Sequence, residues 1–283
     1  MNEAETEPAV EPAADSPATT VKKPKEEGSF LWFLVKLVLF VLIFRTFIFS
    51  TFSIPSESML PRLMVGDYLF TAKWPYGYGR ASLPVDIDIG DGRLFGSLPE
   101  RGDVVVFKHP IDRSDYIKRV IGLPGDTIQM VAGVLHIDGV PVKKERIADF
   151  VRPIGPYNEC RAAFGRFRDS AADGTTVCRY PRFRETLPSG RTYEVLDFGL
   201  LPQDTTPAVV VPEGHLFLMG DNRDNSLDSR FPAEREKGIG LVPVENLVSR
   251  AEMIAFSTDG TSSWINPVSW FTAARGERIG DGL

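Results

Sequence analysis

The sequence predicts a mainly β protein with one apolar helix near its N-terminus and a smaller β subdomain inserted into the main β core. Three observations carry this expectation. From Phe30 to Phe49 about twenty mostly apolar residues follow one another, enough for a helix that spans a bilayer. The remainder holds short apolar or alternating runs bounded by turn residues, the pattern of strands. Glycine (25) and proline (22) are scattered widely, which suits many short strands and does not suit a helical bundle.

Residues 1–29 come first. MNEAETEPAVEPAADSPATT is rich in Glu, Pro, Ala and Thr and almost lacks large apolar side chains. It cannot bury enough surface to offset its ordering entropy, so a disordered tail is expected.

The span follows, assigned to residues 30–52. Lys36 and Arg45 interrupt it. Each would cost about 2.5–3.5 kcal/mol at a bilayer centre. Neither sits at the centre, and both have stems long enough to snorkel. Phe and Leu on every side of the helix argue against a half-buried helix of a soluble core. The long acidic region before the span, and the lack of an A-x-A site after it, argue against a cleaved targeting sequence. Lys22, Lys23 and Lys25 precede the span, and the next basic residue after Arg45 is Arg62. The positive-inside rule then puts the N-terminus in the cytoplasm and the rest outside.

After the span, LFTAKW, DVVVFKH, DYIKRVIGL, VLHIDGVPV, HLFLMG and AEMIAF read as strands. Asp138-Gly139, flanked by apolar residues, is a hairpin signal. Trp74 to Pro99 reads as a long ribbon or loop. Residues 127–212 are Arg-rich, carry both cysteines and have the least regular pattern. They are assigned as the inserted β subdomain, leaving 53–126 and 213–283 as the main core. Cys160 and Cys178 leave two readings open, a disulfide in an oxidising compartment or two free thiols.

The charge balance and the missing motifs exclude several classes. Net charge is −6 with no long basic run, which argues against a nucleic-acid partner. None of the three histidines (His109, His136, His215) lies in HExxH, and no CxxC exists, so a metal site has no support. G-x-S-x-G, S-x-x-K, the P-loop and G-x-G-x-x-G are all absent. The acidic stretch from Asp221 fails as a calcium loop, because Arg223 takes its third position and Ser226 replaces the glycine at the sixth.

Three segments carry candidate chemistry. In FSIPSESMLPRLMVGDYLF, Pro55 and Pro61 restrict the backbone on either side of Ser56, Glu57 and Ser58. A serine held there could be a nucleophile; a plain turn is the ordinary alternative. In RGDVVVFKHP and DYIKRVIGLPGD, Lys118 shares a strand face with Tyr116, while Arg119 lies with Ile117 and Ile121. One of these cations must therefore meet apolar packing. A lysine needs a drop of about 3 pKa units to be half neutral at pH 7, and desolvation can supply it. A snorkelling surface lysine is the ordinary alternative. In GDNRDNSLDSR, Ser226 could bond an amine, and Asp228 and Arg230 can pair; a solvated turn is the ordinary alternative.

Together and in this order, these segments resemble type I signal peptidases (leader peptidases). The resemblance rests on P-S-x-S-M with G-D eight residues after the serine, R-G-D-V-V-V-F, Y-I-K-R-V-I-G-L-P-G-D, and G-D-N-R-D-N-S-x-D-S-R. It covers the span and nearly all that follows. It implies a membrane-bound serine endopeptidase that removes signal peptides from exported preproteins, cutting after small residues in an Ala-x-Ala pattern. The implied fold is a mostly antiparallel β catalytic core with a β subdomain inserted between the lysine and G-D-N-R segments. Ser58 matches the nucleophile and Lys118 the general base. Ser226 matches the hydroxyl that orients the amine. Ser56 matches the side-chain donor of the oxyanion hole, beside the Ser58 N–H. Asp228 and Arg230 match a supporting ion pair. Phe52, Ile54, Met59, Leu63, Leu69, Val106, Tyr116 and Ile117 match the walls of shallow substrate pockets.

The implied partners are preprotein signal peptides and membrane phospholipid, near the protein-export channel, with no nucleic acid, cofactor or metal. The implied location is the bacterial inner membrane, single-pass, with the catalytic part on the periplasmic side. Glu57 departs from the pattern, standing where a small residue, often Gly, is common. Only one span is present, where some members have two. A self-cleaving Ser-Lys protease of the repressor type would need a DNA-binding domain in place of the span. A non-enzymatic membrane-tethered export scaffold would be expected to have lost one of Ser58, Lys118 and Ser226. Near the C-terminus, Trp264, Trp270 and Phe271 suit either a lipid interface or packing on the core.

Overall fold

The computed structural model describes residues 30–82, 92–157, 159–160, 167–263 and 265–283. The expected tail 1–29 and Trp264 lie outside the described residues. Helix α1 (Phe30–Phe47) has 18 residues, none buried, and is long and apolar enough to cross a membrane. At 1.5 Å per residue it is about 27 Å long, close to the hydrocarbon thickness of a bilayer. It is shorter than the expected span of 30–52. Strand β1 (Phe49–Ser53) takes over, paired antiparallel with β2 (Asp67–Ala72) from Phe49↔Ala72 to Ser53↔Tyr68. The stretch FSTFS has β-favouring Phe and Thr and a partner strand within reach, so ladder formation wins over helix extension.

The chain divides after Phe40, and every sheet belongs to the unit Val41–Leu283. The main sheet is antiparallel and has seven strands in the order β1-β2-β15-β3-β4-β13-β14. Here β3 is Val104–Lys108, β4 Asp115–Gly122, β13 His215–Met219, β14 Val242–Pro243 and β15 Leu247–Ser257. A second sheet joins β5 (Thr127–Val131), β6 (Val134–Ile137), β7 (Val140–Pro141) and β12 (Val209–Val210). A third joins β8 (Lys143–Pro153), β9 (Arg168–Ser170), β10 (Thr176–Thr186) and β11 (Thr192–Leu196). The mainly β, antiparallel architecture agrees with the expectation from the sequence.

Local chemistry explains the details. Asp138 and Gly139 both have positive φ (52° and 77°), the mirror-image turn that matches strand twist. The Arg-rich segment holds two of the longest strands, β8 and β10, of 11 residues each. Their periodicity is hidden in the sequence. Pro181 interrupts β10, and the β8–β10 register shifts there, between Tyr180 and Arg182. Arginine stems also cover apolar surface while their heads pair, as Arg182 does with Glu194 at 2.9 Å. Cys160 and Cys178 form a disulfide. In the stretch from Trp74 to Pro99 the described residues form two 3-10 turns, Trp74–Tyr76 and Arg80–Ser82, and an isolated bridge from Tyr78 to Leu94, while residues 83–91 lie outside the described residues.

Candidate active site

Ser58 lies in the loop between β1 and β2, and the base of that loop is tied down. Ile54 N donates to Asp67 O at 2.8 Å and Gly66 N to Ile54 O at 3.1 Å. Gly66 has φ +92°, and a Cβ there would meet Thr258 O at 2.2 Å, so glycine is required. Asp67 is fully buried and gathers Ser257 Oγ at 2.6 Å, Met64 N at 2.8 Å and Arg278 Nη2 at 2.6 Å. The G-D pair of the motif therefore closes the loop that presents the serine.

Lys118 comes from the middle of β4, opposite Val105 of β3. Its Nζ donates to Ser58 Oγ at 2.7 Å and to Ile117 O at 3.0 Å. Ser56 Oγ lies 3.3 Å from Ser58 Oγ. Ser58 and Lys118 are 8% and 4% exposed, so the contact is nearly dry. Burial lowers the Lys118 pKa from 10.5 to about 8. Asp228 and Asp221 pull it up and Arg230 pushes it down, but desolvation dominates.

Both neighbouring cations are buried, by different means. Arg119 forks onto Asp221, with Nε–Oδ1 at 2.7 Å and Nη2–Oδ2 at 2.6 Å, so its charge is matched. Lys118 forms no ion pair among the described residues; its hydrogen bonds go to a hydroxyl and a carbonyl. That difference is why Arg119 holds its proton more firmly while Lys118 gives its proton up more easily than a free lysine.

The G-D-N-R turn follows β13 and packs under the serine. Asn222 N donates to Ser58 O at 3.0 Å, and Asn222 Nδ2 to Glu57 O at 3.1 Å. A Cβ on Gly220 would meet Ser226 Oγ at 2.2 Å and Ser58 O at 2.5 Å, so the glycine permits the approach of the two serines. Asp228 and Arg230 form a buried fork, with both N–O distances 2.9 Å. Burial alone would raise the Asp228 pKa, but Arg230 and the Gly220 N–H hold it below the usual range. Further along, Arg223 forks onto Glu185 of β10 at 2.6 Å for each bond.

An open cleft of about 630 Å³ brings Ser56, Ser58, Lys118 and Ser226 together, with Tyr116 and Ile117 on its wall. Ser226 is 5% exposed and makes no hydrogen bond to Lys118. Ile54, Met59, Leu63, Leu69, Val106 and Ile117 gather in one apolar cluster, with Phe52 packed against it. Tyr116 packs instead against the cluster that contains Val105 and Phe107. Of these eight, only Tyr116 and Ile117 line the cleft. Among the described residues, no group of three His, Cys, Asp or Glu is placed to hold a metal ion.

Sequence reasoning missed Gly220, Asp221 and Asn222 as supports. The signal available was the invitation of G-D-N to make a tight turn; its target, the Ser58 carbonyl, is distant in the chain. It also missed the partner of Glu57, described below.

A buried serine beside a lysine that has no ion pair among the described residues is an arrangement a serine hydrolase could use. Residues 28–256 match the family model described as "Signal peptidase, peptidase S26". The chain belongs to this family of serine peptidases. It is similar to signal peptidase I of Rickettsia prowazekii, 37% identical over 259 residues, covering 88% of this chain and 85% of that one. It is similar to signal peptidase I of Rickettsia massiliae, 36% identical over 262 residues, covering 89% and 86%. A solved signal peptidase I from Enterococcus faecalis is 24% identical, with a TM-score of 0.29, and covers 54% of this chain and 97% of that one.

Proposed function

We propose that this chain is a membrane-anchored endopeptidase that cuts signal peptides from exported preproteins after Ala-x-Ala, with Ser58 as nucleophile and Lys118 as general base. The 2.7 Å contact between Lys118 Nζ and Ser58 Oγ, in a desolvated pocket, carries the proposal. With the amine neutral, the hydrogen bond reverses and Ser58 O–H donates to Nζ. Ser58 Oγ attacks the scissile carbonyl and Lys118 takes the proton. The oxyanion is held by the Ser58 N–H and by Ser56 Oγ, which swings from its 3.3 Å contact with Ser58. The C–N bond breaks as the Lys118 ammonium returns the proton to the leaving amine. Water then attacks the acyl-enzyme, with Lys118 again the base. Ser226 holds the amine in line once Nζ turns from Ile117 O. The Asp228–Arg230 fork keeps the turn in place.

The apolar cluster from Ile54 to Ile117 backs the cleft on one side and supports pockets suited to small side chains. Residues 127–212 serve as the inserted subdomain of the enzyme. The N-terminus is cytoplasmic and the catalytic unit periplasmic, near the export channel, as the lysines before the span favour. Exposed Ile265 (94%), Phe271 (83%) and Val268 (67%) favour contact with phospholipid.

The test is cleavage. The full chain and Ser58→Ala, each in detergent with phospholipid, are given a preprotein with an Ala-x-Ala signal sequence, and the new N-terminus is read by mass spectrometry. Cleavage after the second Ala by the unaltered chain alone is expected. No cleavage by the folded chain, or equal cleavage by both, would overturn the assignment.

A further inference from the structure

Glu57 is the departure from the family pattern that stands beside the nucleophile, and its side chain is buried. Its carboxylate accepts from Arg152 Nη2 through Oε1 and from Asn225 Nδ2, at 3.3 Å, through Oε2. Arg152 is 3% exposed and belongs to β8, directly opposite Cys178 of β10. Asn225 lies in the turn that carries Ser226. The main chain is gripped at the same point, since Asn222 donates to the carbonyls of both Glu57 and Ser58.

We infer that Glu57 and Arg152 form a positioning pair, an ionic clamp through which the third sheet holds the nucleophile loop in register with Lys118. The inference rests on the reading of Ser58 and Lys118 as the catalytic dyad. Two features separate the clamp from an ordinary ion pair. Both partners are nearly dry, where exposed pairs contribute little. The pair also acts on the residue that precedes the nucleophile, where a shift of about 1 Å can cost about 10²-fold in rate. Glu57 bonds β8 and the Ser226 turn at once, so it brings three separate parts of the chain to one point. A small residue there would lack both of these side-chain bonds.

The experiment uses the full chain in detergent with phospholipid and a preprotein substrate, well below the melting temperature of each variant. Arg152→Met removes one partner. The double variant Glu57→Gly with Arg152→Met removes both charges of the pair together, so neither leaves the other buried and uncompensated. Glu57→Arg with Arg152→Glu reverses the pair. The first two are expected to lose about 10- to 100-fold in kcat with KM within about two-fold, the mark of a lost alignment rather than lost binding. The reversed pair is expected to recover most of kcat. A folded double variant with kcat within about two-fold of the unaltered chain would overturn the clamp. So would a reversed pair whose kcat is no better than that of Arg152→Met. If the unaltered chain itself fails to cut, the dyad reading falls and takes the clamp with it. An active chain whose variants are equally active overturns the clamp alone.

Discussion

Replacing Lys118 with Met should destroy activity and, at neutral pH, stabilise the fold. The unfolded lysine has a pKa of 10.5 and the folded one about 8. Between those values the unfolded chain binds more protons, so the stability of the unaltered protein rises with pH across that window. Below pH 8 the full cost of the buried charge is present. The shift corresponds to roughly 3 kcal/mol at pH 6 and falls to roughly 1 kcal/mol at pH 10, at 1.36 kcal/mol per unit. Methionine is similar in length and carries no charge to desolvate. It loses the hydrogen bonds to Ser58 and Ile117 O, an offset of about 1 kcal/mol each that depends little on pH. The informative quantity is therefore the change in ΔΔG between pH 6 and pH 10, where about 2–3 kcal/mol in favour of methionine should disappear. Urea unfolding of the full chain in micelles, followed by tryptophan fluorescence at each pH, measures it. A ΔΔG that stays flat over this range would refute the claim that burial lowers the Lys118 pKa.

Other outcomes follow from the same geometry. The acid limb of kcat/KM should rise with an apparent pKa near 8, with activity lost as pH falls and Lys118 protonates; a limb at the pKa of a carboxylate would assign the base elsewhere. Gly220→Ala should cut kcat by about 10²-fold while the chain stays folded by circular dichroism, because its Cβ would collide with Ser226 Oγ and the Ser58 carbonyl. Replacing Cys160 and Cys178 with Ser should lower stability by about 3 kcal/mol, the loop-closure value for a crosslink of 18 residues' separation, read by urea unfolding with and without reductant.

How much of this was legible in the chain depends on where each partner lies. The strand around Lys118 could be read because alternation is local, and so could the Asp138-Gly139 hairpin. Strands β8 and β10 were obscured because Pro181 and the arginines break the alternation that marks a strand. The end of α1 was misplaced because hydropathy runs on past Phe47 while the backbone switches to a ladder. The choice between Lys118 and Arg119 also illustrates the limit. Both stand in one strand, and nothing nearby in the chain says which one finds a carboxylate.

By itself the sequence determined the β-rich class, the single apolar helix, and the order of a serine, a lysine and a second serine in motifs of one family. Periodicity, turn chemistry and motif spacing are properties of neighbouring residues. Only the tertiary structure decided that Asp221 neutralises Arg119 and leaves Lys118 without an ion pair, that Gly220 makes room for the two serines, and that Glu57 meets Arg152 of β8. Those outcomes depend on which groups share a buried space, because desolvation and ion pairing act through distance and not through sequence separation.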